Sequence, residues 1–516
     1  MRRICILVNE RIASWELELY RTIRSKYVVS VVLVNSPVNE TSFLSKLKSI
    51  PFFIVRFIDR IVLFRRRYIF EFFKSIEFPI HQVDLVVTNS ARKPYLSLSK
   101  LDLGKLSELK CDIGIRLCDG IISKEILSTI EQGFLSFHHG DPNRYRGQPS
   151  GFWEVLDRVN ETGFIVQRLS EVLDGGDVVE YGSVGTSRIY TLNKYRIIKR
   201  SLPAMLRAID DGQEQTYRSL PIYAHPIYKR PGYVESLRYV IGVGLRSVGS
   251  FVPTRDRWRV GFRKIGSNNS LVLSNYMFIT PPENTFQADP FVFKHKGVNY
   301  IFLEEYDYRF KIGYIVAYKA SGRIFERVGR VNFEKEIHFS FPRVYSIEGE
   351  LYLIPETVSE NKVYAFKCVN FPLFWTEYSV ILNTALCDPI LKRDGGSFKI
   401  FGTIDDSELR DYSSQLVQYQ FDDLFDGPGG QSPVCFSSQG GRNGGWISQG
   451  DSEYRVGQCY GFGRYGKSLK LYRVTSGSDN KYQEQFVQDI DGASFGFKAM
   501  HTLNSNEDFV VFDFIR

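Results

Sequence analysis

The feature that most constrains this chain is a repeat in its second half. "ADPFVFKHKGVNYIFLEE" (288–305), "SFPRVYSIEGELYLIPET" (340–357) and "CDPILKRDGGSFKIFGT" (387–403) share one template. It runs a small or acidic residue, proline, a strand, a Gly-centred turn, then an aromatic strand. Pro290, Pro342, Pro389 and Pro433 recur at about the size of one propeller blade. A fourth, degenerate copy is expected to start near "SPVCFSSQ" at 432. With "RWRVGFR" before the first copy and "HTLNSNEDFVVFDF" after the last, the simplest count is a five-bladed ring closed by both ends of the segment.

The first half has a different grammar. "ICILV" and "VVSVVLV" are continuous apolar, largely β-branched runs, the mark of strands buried on both faces of a parallel sheet. "DLVVTN" (84–89), "DIGIRL" (112–117) and "GFLSFH" (133–138) continue the strands. "IASWELELYRTIRSK", "SKEILSTIEQ" (123–132) and 187–212 read as helices. The alternation predicts an open, Rossmann-like α/β parallel sheet with helices on both faces. At 516 residues the chain exceeds one hydrophobic core. The expected division is an α/β domain over 1–212, a proline-rich connection with one helix over 213–255, and the propeller over 256–516.

Residues 43–78 interrupt the α/β pattern with "FLSKLKSIPFFIVRFIDRIVLFRRRYIFEFFKSI". This reads as a helical insertion packed on the sheet. The alternative is peripheral membrane contact, with Phe and Ile on one helix face and Arg on the other. The net charge of +8 is modest for this length, and no nucleic-acid-binding signature is present. Seven scattered cysteines without CxxC spacing argue against a disulfide framework or a zinc site, so no metal is expected, and a reducing, cytoplasmic compartment is. "MRRICILVNE" is too short for a signal-peptide core, and no window has the length of a membrane span.

The residues that suggest chemistry are "SFHHGDPNRYRG" (136–147) and "LDGGDVV" (173–179). Ligands on open α/β sheets bind outside the carboxyl ends of the strands, where His138 and His139 fall. A neutral His138 can act as a general base, with Asp174 orienting it. The plainer reading is a solvated His-His pair beside a tight turn. In the propeller, Asp289 and Asp388 open inner strands, and Glu304, Glu305 and Glu356 end the next ones. Carboxylates converging on an axis suit either a glycosidase or a glycan-binding site. Phe341 stands where the third Asp would be, which favours binding. Trp375 and Trp446 are candidate sugar-stacking surfaces or interblade core.

These motifs carry a resemblance. "ETGFIVQRLSEVLDGGDVV" (161–179), "DGIISKEIL" (119–127) and "SFHHGDP" resemble the 10-formyltetrahydrofolate-dependent formyltransferases over roughly residues 1–210, nearest the sugar N-formyltransferases. The resemblance implies His138 as base, Asp174 as its partner, and Ser136 at the position of the family's oxyanion-binding Asn. It also implies Gly120, Ile121, Ile122 and Leu173 on the 10-formyltetrahydrofolate side, and His139, Asp141 and Arg146 toward substrate. Ser136 departs from the family pattern, and losing an oxyanion donor costs on the order of 10²–10³ in rate. The second half, with "LEEYDY", "HFSFPRV" and "LIPET", is similar to the N-terminal region of glucosamine inositolphosphorylceramide transferases and, more distantly, to five-bladed glycoside hydrolases.

The function these expectations lead to is formyl transfer from 10-formyltetrahydrofolate to an amino sugar or sugar nucleotide in surface-polysaccharide biosynthesis. The alternative is a carbohydrate-binding or glycosyl-transfer accessory protein whose first domain is catalytically silent. Glycosidase action by the propeller is a third reading.

Overall fold

The computed structural model describes residues 2–35, 43–91, 95–171, 176–211, 217–219, 227–249, 257–265, 273–405, 407–476 and 482–516. The chain forms two compact units, Met1–Val252 and Pro253–Arg516.

The first unit is built on one eight-stranded sheet. Its strands are β1 (Arg3–Val8), β2 (Val28–Asn35), β3 (Leu85–Thr88), β4 (Ile113–Arg116), β5 (Phe134–His139), β6 (Glu161–Arg168), β7 (Asp177–Gly185) and β8 (Tyr217–Ser219). The spatial order is β8-β7-β6-β5-β4-β1-β2-β3. The first five run parallel, and Ile4 to Val8 of the central β1 are buried throughout, as their apolar run requires. The sheet is mixed rather than wholly parallel, because β6, β7 and β8 pair antiparallel. The connection through the short helix Phe152–Asp157 brings "ETGFIVQR" back antiparallel against β5. The helix expected over 123–132 forms only as Lys124–Leu127.

The insertion folds as a helix, Phe43–Val62, followed by a shorter one, Arg67–Phe72. The long helix packs against Tyr190–Asp211 and Tyr233–Gly249. Asp59 is the anchor. Its carboxylate is wholly buried and accepts hydrogen bonds from the Thr191 N–H at 2.7 Å, the Thr191 hydroxyl at 2.6 Å and the Tyr239 hydroxyl. Tyr239 in turn accepts the Tyr190 N–H at 2.8 Å. Burial pushes the Asp59 carboxyl up, and these donors pull it back. A polar break in an apolar stretch is thus the pin that ties three helices together. Tyr233–Gly249, expected as part of a connection, lies in the first unit with Tyr239 and Val243 in its core.

The second unit is a five-bladed propeller of four-stranded sheets. The blades begin at the inner strands Thr285–His295, Val344–Ile347, Cys387–Asp394 and Gln439–Gln449. The fifth blade joins Leu503–Ser505 and Phe509–Phe514 to Arg259–Lys264 and Met277–Ile279, so both ends of the segment close the ring. The expected Gly turns close the inner hairpins. Lys296-Gly297 and Glu348-Gly349 both have positive φ at each central residue, the primed geometry that matches strand twist.

The fourth copy is displaced from its expected place. "SPVC" belongs to Gly430–Cys435, the outer strand of the third blade, paired with Leu416–Phe421. Pro433 sits on an edge strand, where a missing N–H costs little. The inner strand of the fourth blade is "QGGRNGGWISQ" instead. Its glycines hide the template because backbones crowd there: a side chain on Gly445 would stand 2.0 Å from the Leu503 carbonyl.

Candidate functional site

In the α/β unit, alternation along β5 puts Ser136 and His138 on one face and Phe137 and His139 on the other. All lie at the carboxyl end of the parallel strands. The Ser136 hydroxyl is buried and accepts the Arg116 Nε–H at 3.1 Å, while Arg116 Nη1 donates to the Gly120 carbonyl at 2.9 Å. Arg116 therefore ties Ser136 to the 120–122 segment, which pairs with Tyr95–Leu96. His139 stacks on Phe137 at 5.2 Å between ring centroids, and its Nε2 lies 3.0 Å from the Ser201 hydroxyl. Burial first, then His138 and Lys194, push its imidazole down to about 3, so it stays neutral. Asp141 accepts the Asn143 N–H at 2.9 Å in a turn, and Arg146 is buried. Asp174 and Leu173 lie outside the described residues.

The sequence reading missed two groups here. Arg116 closes an otherwise apolar parallel strand, which was its signal. Glu154, in "GFWEVL", is buried, and burial pushes its carboxyl up to about 8. Gly140 ends β5 at φ +137, and a side chain there would come within 4 Å of both Glu154 Oε1 and His138 Nε2.

The propeller gathers more charge. Asp289, Phe341 and Asp388, the residue before proline in three blades, all adopt left-handed backbone at φ +52, +44 and +51. For Asp289 and Asp388 this coincides with a register break, between Ala288 and Phe291 and between Cys387 and Ile390. Such bulges re-aim a side chain out of the alternation, and strained backbone of this kind concentrates at functional sites.

Each re-aimed residue is then fixed by its neighbours. Asp289 Oδ1 lies 3.1 Å from His501 Nε2, and Asp513 Oδ2 lies 3.0 Å from His501 Nδ1. Asp513 also accepts the Asp289 N–H at 3.0 Å and the Thr502 N–H at 2.9 Å. Burial pushes the His501 imidazole down, but Asp513 and Asp289 outweigh it and hold it up at about 10. Asp388 accepts the Arg442 Nε–H at 2.6 Å and the Gln458 amide at 2.8 Å, and its own N–H donates to Glu356 at 2.9 Å. Burial, against the pull of Arg442, leaves the Asp388 carboxyl at about 7.

Glu304 faces His338, whose Nε2 is 3.5 Å away and whose Nδ1 accepts the Gly313 N–H. Burial, then Asp289 and Glu356, push the Glu304 carboxyl well up. Glu305 points elsewhere, to Gln287 and Arg327 within its own blade.

The arrangement brings Asp289, Asp388, Glu304 and Glu356 together and leaves Glu305 out. His501, Asp513 and Arg442 were missed. Asp513 had a visible signal, an acid inside the apolar strand "FVVFDF". Two triads, Asp289/His501/Asp513 and Glu356/Cys387/Asp388, have metal-ligand spacing; in each, two acids share one cation of the protein, His501 or Arg442. Trp375 and Trp446 are core, whereas half-buried Trp258 and exposed Tyr465 flank His501, with ring centroids at 4.2 and 5.1 Å. Fixed acceptors, fixed donors and aromatic faces side by side are the chemistry of a polyol-binding site.

A five-bladed propeller with an axial acid–cation cluster is thus the class of this unit. Residues 268–501 match the family described as glucosamine inositolphosphorylceramide transferase 1, N-terminal. Among curated proteins the chain is similar to glucosamine inositolphosphorylceramide transferase 1 of Arabidopsis thaliana, 28% identical over 45% of this chain and 31% of that protein. The chain therefore spans about a third of the length of the curated relative it matches. Among solved structures it is similar to a GH43_1 enzyme from Xanthomonas citri (13% identical, 45% of this chain, 83% of that one, TM-score 0.35). It is also similar to Rv3404c of Mycobacterium tuberculosis, described as a likely sugar N-formyltransferase (12% identical, 47% and 87%, TM-score 0.29). Likenesses this distant carry no functional argument.

Proposed function

We propose that this chain is a carbohydrate-binding accessory of glycosyl transfer, with the sugar held at the propeller's axial cluster. The observation that carries this is the pair of re-aimed, cation-paired aspartates, Asp289 and Asp388, beside Trp258 and Tyr465. The similarity of this half to a glycosyltransferase-related family supports it. A sugar hydroxyl that donates to a carboxylate contributes about 1.5–3 kcal/mol. Asp289→Asn and Asp388→Asn should each weaken binding of a glycan, found on an array and measured by calorimetry, by roughly 10–100-fold. Unchanged affinity in both variants, with circular dichroism unaltered, would exclude the axial site.

A second reading is formyl transfer from 10-formyltetrahydrofolate to an amino sugar or sugar nucleotide. It is favoured by Ser136 and His138 sharing one face at the strand ends, with Arg116 linking Ser136 to Gly120. The residues present fit the donor in part: Ile121–Ile122 is held in a strand pair with Tyr95–Leu96, but the Ser136 hydroxyl is already engaged by Arg116. Ser136→Asn should raise turnover and His138→Ala should abolish it. A folded wild-type chain that binds no formyl-folate analogue in calorimetry would remove this reading and leave the first intact.

A further inference from the structure

The helix Phe43–Val62 has two apolar stripes, and the fold uses only one. Val55, Asp59 and Leu63 face inward and are buried. On the other side Phe53, Ile54, Phe57, Ile61 and, just past the helix, Phe64 are between 46% and 64% exposed. The neighbouring helix Tyr233–Gly249 repeats the pattern. Ser236, Tyr239 and Val243 are buried, whereas Val234, Leu237, Ile241 and Leu245 are between 52% and 68% exposed. The spacing of the exposed set, three and then four residues, makes a continuous stripe along the helix. Two packed helices therefore both turn apolar side chains to solvent, which soluble surfaces avoid in contiguous patches.

The charge around this surface is predominantly basic. Residues 43–67 carry seven Lys and Arg against one acid, Asp59, which is buried and fully engaged. The second helix adds Arg238, and the turn before it Lys229 and Arg230. Its one acid, Glu235, accepts the Gly232 N–H at 2.9 Å. Beside the stripe lies a cavity of about 920 Å³ in which Arg56, Arg60, Lys194 and Arg230 stand among Trp15, Phe53 and Phe57; the acid in its lining, Glu71, is paired with Lys74 at 3.5 Å. Cations interleaved with aromatic rings at the edge of an apolar face match a phospholipid headgroup above its acyl chains. Among the described residues no helix is long and apolar enough to cross a membrane, so the fit is to the surface.

We propose that the helix pair Phe43–Val62 and Tyr233–Gly249 docks this protein on an anionic lipid bilayer. The apolar stripes enter the headgroup boundary, and the arginines beside them engage lipid phosphates. The test is co-sedimentation of the full chain with vesicles of phosphatidylcholine alone and with about one quarter phosphatidylglycerol added. Binding should require the anionic lipid and weaken as salt is raised. Phe57→Glu with Leu237→Glu should lower partitioning at least about tenfold. Both residues are exposed, so unchanged circular dichroism and melting will show that the fold is kept. No binding of the wild type to anionic vesicles overturns the proposal. So does partitioning that the double variant leaves unchanged, or a wild-type dimer that the double variant dissolves while vesicle binding stays absent.

Discussion

Arg442→Met should destabilise the propeller by about 3–5 kcal/mol, the usual cost of leaving one partner of a buried ion pair uncompensated. Asp388 is 1% exposed, and Arg442 Nε donates to it at 2.6 Å. Without the guanidinium, the carboxylate keeps the Gln458 amide and a weak contact from the Cys387 thiol at 3.9 Å, and faces Glu356 nearby. Its carboxyl should move further up, and the loss of stability should deepen as pH rises and the acid is forced to ionise. Pairing the change with Asp388→Asn removes the stranded charge, so the double variant should recover much of the loss. Calorimetric melting of the four proteins makes a double-mutant cycle with a coupling of several kcal/mol expected. A single variant that melts like wild type would mean that the pair lies open to water and is not a fixed element of the site.

His501 should make the propeller sensitive to alkali. Its imidazole is held at about 10, above its ordinary 6.5, by Asp513 and Asp289 against the opposing effect of burial. A group raised on folding contributes stability that is fully present below its unfolded value and is lost as pH rises through its folded value. The contribution should therefore be complete near pH 6 and fall away between about pH 6.5 and 10, by a few kcal/mol in total. Lysines and tyrosines also titrate toward the upper end, so the informative quantity is a difference. His501→Gln should melt lower than wild type at pH 7, and the gap should close as pH approaches 10. A gap independent of pH would show that His501 is neutral at neutral pH and acts by packing alone. The same comparison bears on sugar binding, since Asp289 is oriented by this histidine.

How much of this was legible beforehand can be argued from particular residues. The propeller was visible because blades repeat: the Asp-Pro and Phe-Pro steps and the Gly hairpins recur, and local turn chemistry is written in a few adjacent residues. The fourth blade escaped because close backbone packing replaced the template's proline and aromatics with glycines. Strands β1, β2, β4 and β5 were legible because burial on both faces demands apolar runs, whereas β3 is an edge strand with Val86 47% exposed. The reversal at β6 was not, since strand direction depends on the crossover and the sequence of a strand looks alike in either sense.

For the sites, residue types and the period of two along a strand suffice to put Ser136 and His138 on one face and Phe137 and His139 on the other. The sequence also placed Asp289 and Asp388 at the starts of inner strands. Only the tertiary structure decided what those residues meet. Asp289 meets His501 and Asp513, more than two hundred residues away, and the Phe341 N–H of the next blade, while Asp388 meets Arg442 and Gln458 from another blade. Ring closure brings them together, and burial then sets their charge states. Asp59 is the same lesson in the first unit: in the sequence it interrupts an apolar helix, whereas in the fold it receives three hydrogen bonds from two other helices. A charge in water stabilises little, but one withdrawn from water must find its partners, and only the packed chain determines which groups are near enough to serve.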